Sequence, residues 1–151
     1  MAEVLAAATA MILTGRAVYT DVKKGKIDNS LIVIGLLGGF VFSAIRDGPK
    51  GIWYSAKMVG IVFVSLIFLF VIKGLGAGDI KLLCVLAAFF PDKIIEIIAA
   101  SFFSGAVIAV GKMLLRFVRN QTIYIRHEAL NFSVPVLIGM GCVLSIGWIC
   151  S

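Results

Sequence analysis

Charge is scarce in this chain. Asp, Glu, Lys and Arg make up 15% of its 151 residues and 61% is hydrophobic, whereas soluble domains are about a quarter charged and about half apolar. So little charge excludes an ordinary soluble domain and points to a chain that crosses a bilayer several times. The length leaves no room for a sizeable soluble module beside the membrane part. Histidine occurs once, at position 127. Flanked by Arg126 and Glu128, it reads as a solvated interfacial residue, not a general base. Cysteine occurs three times, as Cys84, Cys142 and Cys150, each inside an apolar stretch and none in a C-x-x-C pair. That usage excludes a disulfide framework and predicts no zinc site and no other metal centre. The three thiols read as small packing residues. No basic run is interleaved with aromatics, so nothing suggests nucleic acid as a partner. The net charge of +6 instead orients the chain and meets anionic lipid. No repeat or low-complexity tract is visible.

What is present is a series of apolar runs. They cover 2–20, 31–45, 52–72, 80–90, 94–115 and 132–150. The pattern predicts an all-α polytopic membrane protein with six transmembrane helices, forming one domain over 1–151. Arg46-Asp47-Gly48-Pro49-Lys50-Gly51 is a turn by composition. Gly35-x-x-x-Gly39 has the spacing of close helix packing. The polar stretch 116–131 predicts a segment lying on the bilayer surface. With six spans, Arg16, Lys23, Lys24, Lys26, Lys73, Lys81, Lys112, Arg116, Arg119 and Arg126 share one face. Arg46, Lys50, Lys57 and Lys93 lie on the other. Basic loops stay in the cytoplasm, so the first face is the inner one and both termini point outward. Trp53, Tyr54 and Trp148 then suit the outer interface as aromatic anchors.

One stretch breaks the pattern: Gly74-Leu75-Gly76-Ala77-Gly78-Asp79-Ile80-Lys81. Glycines at alternate positions oppose a stable helix through their backbone entropy. Irregular backbone at membrane depth is tolerated only where protein or a water-filled cavity surrounds it, and a carboxylate there marks a functional site. The apolar run after the break covers only about 16 Å at the helical rise, against about 30 Å of hydrocarbon. Asp79 is therefore expected inside the cytoplasmic half of the membrane. Asp21, at the end of the first run, is expected near the inner interface on the same side. Two carboxyls sharing one proton can hydrolyse a peptide bond: one takes a proton from water and the other gives one to the carbonyl oxygen. Asp21 and Asp79 are the predicted catalytic pair. Flanking glycines would let an extended substrate strand come close. No Gly-Lys-Ser/Thr closes the glycine run and no strand precedes it, which excludes a phosphate-binding loop. Three other readings remain open. The carboxylates are ordinary loop charges beside lysines; or Asp79 serves a non-enzymatic protein as a proton or ion relay; or the chain is a scaffold that binds helices without cutting them.

The motifs resemble those of type IV prepilin peptidases. Gly76-Ala77-Gly78-Asp79 is a GxGD motif, continued by Ile80-Lys81 as D-x-K. Asp21 with Ile27 and Asn29 resembles the family's D-x-x-x-x-x-I-P-N segment. Asn131-Phe132-Ser133-Val134-Pro135 followed by Gly139 resembles its closing I-P-F-x-P…G stretch. The three occur in the family's order over essentially the whole chain. Asp28 stands where the family has proline, which adds an acidic group near Asp21. The resemblance implies that Asp21 and Asp79 are catalytic. It implies a substrate that is a prepilin or pseudopilin, cut at its short basic leader on the cytoplasmic side, after a glycine and before an apolar helix. Gly76, Gly78, Lys81 and Asn29 are expected to support the motif or place the substrate, with no cofactor. The location implied is the plasma (inner) membrane of a prokaryote. The chain lacks the cysteine-bearing N-terminal insert of the longer members, and it looks like the short members associated with tight-adherence pili. No methyltransferase activity is expected. The oligomeric state stays open, a homo-oligomer included.

Overall fold

A computed structural model describes residues 2–24, 27–72, 75–118 and 132–149. The surface segment expected over 116–131 lies almost entirely outside them, with His127 in it. Among the described residues the chain is all-α, 92% helical and without strands. It forms α1 (Ala2–Lys24), α2 (Asn29–Val71), α3 (Ala77–Phe89), α4 (Ile94–Val118) and α5 (Ser133–Ile149). Among the described residues, two helices are long and apolar enough to cross a membrane, Asn29–Val71 and Ile94–Leu114, each with a mean hydropathy of 2.1. Large apolar side chains stand exposed on both, including Trp53, Val64, Phe68, Ile95, Phe103 and Met113. In water such a surface would be an aggregation liability; in lipid it is the expected exterior.

The second and third apolar runs are expected as separate helices, and they form the two arms of α2. Its continuity is broken at one residue. Gly48 has φ 65° and ψ −152°, a left-handed backbone in which a Cβ would be strained. Pro49 follows it; having no N–H, proline suits the first turn of a new helical arm. The arms 29–47 and 49–71 then lie side by side. Ser43 and Ser55 are twelve residues apart, yet their Oγ atoms are 2.5 Å from each other. In a straight helix that separation would be about 18 Å. The turn foreseen over 46–51 is thus present, narrowed to Gly48, and Gly51 lets the second arm approach the Ser43 carbonyl.

The first arm buries Ile32, Gly35, Gly39 and Ser43, a face with helical spacing that packs on α3. A Cβ at Gly35 would lie 2.7 Å from Val85, and one at Gly39 only 2.6 Å from the Ala88 Cβ. The expected Gly-x-x-x-Gly pair is therefore used, and it brings two helix backbones close. Ser43 adds a hydrogen bond to the Ala88 carbonyl at 3.1 Å. On the other side α4 packs on α5. Gly139 sits against the Ser101 backbone, and the Ser104 hydroxyl donates to the Pro135 carbonyl at 3.0 Å. Between these pairs lies α1, which touches α2, α3 and α5. Its inward face is built of small residues, Ala6, Ala10, Thr14 and Ala17. Thr14 satisfies its own hydroxyl on the Ala10 carbonyl at 2.8 Å, so no polar atom is left bare there.

The centre is α3. Every residue from Leu82 to Phe89 is buried, as are Asp79 and Ile80. A helix that is apolar all round belongs in an interior. It is 13 residues long, about 20 Å at the helical rise.

Candidate active site

The glycine stretch behaves differently from its sequence expectation. Helix α3 starts at Ala77, inside the stretch, with Gly76 as its N-cap in extended conformation (ψ 147°). Gly78 and Asp79 are helical, in the first turn. The reason is positional. Glycine is tolerated at a helix start, and the burial of the following turns holds the helix in place. Gly74 lies outside the described residues.

This start fixes Asp79. Its own N–H donates to the Gly76 carbonyl at 3.1 Å, and its carboxylate accepts from the Gly76 backbone N–H. That arrangement is half of a capping box, with the side chain three residues into the helix reaching back to the cap. The carboxylate lies so close that a Cβ on Gly76 would sit 2.9 Å from Asp79 Oδ2. The positive end of the helix dipole also favours an acid at this point. Asp79 is 9% exposed, a carboxyl almost closed in by protein.

Asp21 reaches the same place from the last turn of α1 and is half-buried. It lies within electrostatic reach of Asp79, although the two belong to different helices far apart in sequence. The structure therefore brings the predicted pair together. Asn29 and Lys81 also meet at this end: the Lys81 ammonium donates to Asn29 Oδ1 at 2.9 Å, tying the start of α2 to the first turn of α3. Both are exposed. Gly78 faces Ile27, which half-buries itself 3.3 Å from where a Cβ would be. Asp28, the acid in the proline position, precedes α2 as its N-cap and is exposed, and its side chain does not cap the helix. Lys23 donates to the Tyr19 hydroxyl at 3.2 Å and lies over its ring.

One participant escaped the sequence reading. The Ser133 hydroxyl, at the start of α5, donates to Asp21 Oδ2 at 2.6 Å. Ser133 is fully buried. Its motif, 131–135, was visible, but nothing local in the sequence says that its serine meets an aspartate 112 residues away. Ile27 is the other unforeseen contact, and its place between Asp21 and Asn29 was the available signal.

An all-α bundle with an apolar exterior, a buried central helix and two carboxyls at that helix's start defines a membrane protein with a polar site at one end. Comparison with protein families supplies the rest. Residues 6–110 match the type IV leader peptidase family. The matched region includes both aspartates and the glycine stretch, and the chain belongs to that family. It is a membrane-embedded peptidase. Comparisons with curated proteins and with solved structures give no match.

Proposed function

We propose that the protein is an intramembrane aspartic endopeptidase that removes the short basic leader of prepilin-like proteins at the cytoplasmic face. One observation carries this reading: Asp21 and Asp79, from separate helices, converge within electrostatic reach at the start of the buried helix α3. Six spans follow if α1, the two arms of α2, α3, α4 and α5 each cross the bilayer. The basic residues then put the aspartate end inside, and the Gly48 turn with Trp53 and Tyr54 outside. Localisation in the inner membrane of a prokaryote agrees with that orientation.

The chemistry needs no further group. A water between the carboxyls loses a proton to the ionised one while its oxygen bonds to the substrate carbonyl carbon. The protonated carboxyl gives its proton to the carbonyl oxygen, and a tetrahedral diol forms. The first carboxyl then passes its proton to the leaving nitrogen and the C–N bond breaks. One diol hydroxyl returns a proton to the second carboxyl, and the pair is restored. Two like charges this close do not both ionise cheaply, so the pair works with one proton between them. Gly76 and Gly78 leave the approach free of side chains, and Lys81 with Asn29 forms the rim that a substrate strand would cross.

The test is cleavage of a peptide with a basic leader, a glycine and an apolar helix, by the purified protein in lipid. A single cut after the glycine, read by product mass, is expected. Asp21→Asn and Asp79→Asn should each reduce it by about 10⁴-fold or more, as loss of one member of a working unit does. Cleavage that survives Asp21→Asn would remove Asp21 from the mechanism and make Asp28 the next residue to test. A relay would instead leave the peptide uncut and show transport that depends on Asp79.

A further inference from the structure

We propose that Ser133 is a positioning residue for the reaction: its hydroxyl holds Asp21 Oδ2, so that Oδ1 is the oxygen left to work on the attacking water. The inference rests on the peptidase reading of the aspartate pair and adds to it a third side chain with a defined task.

The geometry is specific. The Ser133–Asp21 hydrogen bond is 2.6 Å long, within the range of about 2.5–2.7 Å for a hydroxyl on a carboxylate. Ser133 is fully buried while Asp21 is only half-buried. The donor is thus fixed by protein, and the acceptor is free to face the site. Asp79 is held by the Gly76 backbone N–H, which no side-chain substitution removes. Asp21 sits in the last turn of α1, where backbone donors are already used within the helix, so its orientation depends on a side chain from elsewhere. Ser133 supplies it from the first residue of α5, where the backbone is set by the Val136 N–H donating to the Phe132 carbonyl at 3.1 Å. Phe132 packs against Phe102 of α4 as a tilted ring pair with centroids 5.1 Å apart. That contact pins the turn carrying Ser133 to a second helix. Among the described residues, Lys23 is hydrogen-bonded to Tyr19 and Lys81 to Asn29.

A carboxyl without this tether can rotate about its last torsion. Rotation takes Oδ1 out of line with the water and with Asp79, and small misplacements of a working group are costly in rate. The loss falls on the chemical step and leaves substrate binding alone.

The experiment uses the full chain in lipid, with the leader peptide above and thermal melting read beside it. Ser133→Ala removes the hydroxyl. Ser133→Cys keeps the volume with a weak donor, and Ser133→Thr keeps the hydroxyl. The expected result is that the Ala and Cys variants lose roughly tenfold or more in kcat with KM within about twofold, the size of one hydrogen bond to a charged group. The Thr variant should recover most of the rate. If Ser133→Ala does not fold, Ser133→Cys carries the comparison. Full kcat in the Cys variant, or a loss confined to KM, would overturn the role of Ser133 and leave the peptidase standing. Wild-type protein that leaves the peptide uncut overturns the peptidase reading, and this one with it.

Discussion

At the scale of single residues, Gly76 is the most constrained position beside the site. Its backbone N–H holds the Asp79 carboxylate, and a methyl group there would press on Oδ2 at 2.9 Å. Gly76→Ala should therefore cost at least about tenfold in kcat while moving the melting midpoint little, because the residue is exposed and lies at a helix start. Gly78→Ala is the milder change. Its Cβ would meet the flexible end of Ile27 at 3.3 Å, and activity within about threefold of wild type is expected where a side chain can shift. Measuring kcat and melting together for the pair checks both. The importance of glycine here was legible in the sequence; the reason was not. Alternating glycines suggested a broken helix, but the structure uses them as a cap and a first turn, next to a carboxylate that leaves no room for a Cβ.

At the scale of elements, the six apolar runs were legible because their ends are marked by polar or glycine residues. The turn between the second and third was legible too, but not its narrowing to the single residue Gly48, because that depends on a backbone angle that composition does not display. Gly48 makes a clean test. A Cβ there meets nothing within 4 Å, so any penalty for Gly48→Ala comes from its φ of 65° alone. About 1–3 kcal/mol of destabilisation is expected, since φ 65° with ψ −152° is a conformation nearly confined to glycine. Gly60 also has open space around it but is helical. Gly60→Ala should instead stabilise by about 0.5–1 kcal/mol. Opposite shifts of the unfolding midpoint in detergent would support this account of the turn, and parallel shifts would refute it. The tether from α5 to Asp21 was illegible for a different reason. It is a tertiary contact between two short motifs, and sequence order alone does not say which residues of two motifs meet.

At the scale of the whole molecule, the convergence of the aspartates at one end agrees with the orientation read from basic residues. The orientation has its own test. Single cysteines introduced as Lys50→Cys and Lys81→Cys, in a chain with its native cysteines replaced, should differ in labelling from outside intact cells. Position 50 should react with an impermeant thiol reagent and position 81 should react only after the membrane is opened. Reversed labelling would put the site on the outer face. The far end is closed differently. Arg46 bridges Asp47 at 2.8 Å and Asp92 at 3.0 Å, fastening the end of the first arm of α2 to the turn between α3 and α4. These are exposed pairs, worth at most about 1 kcal/mol, so that end is held mainly by packing.

The burial of α3 has a consequence for how the protein is made. A segment of about 20 Å is too short to hold itself across about 30 Å of hydrocarbon, and its first turn carries an acid. Alone at the insertion machinery it has little tendency to partition into lipid. Its entry would depend on helices already there, and α2, which supplies its main packing surface, leaves the ribosome first. The order of the chain thus delivers the host before the guest, and the carboxyl pair at the start of α3 would form only after the wall around it stands.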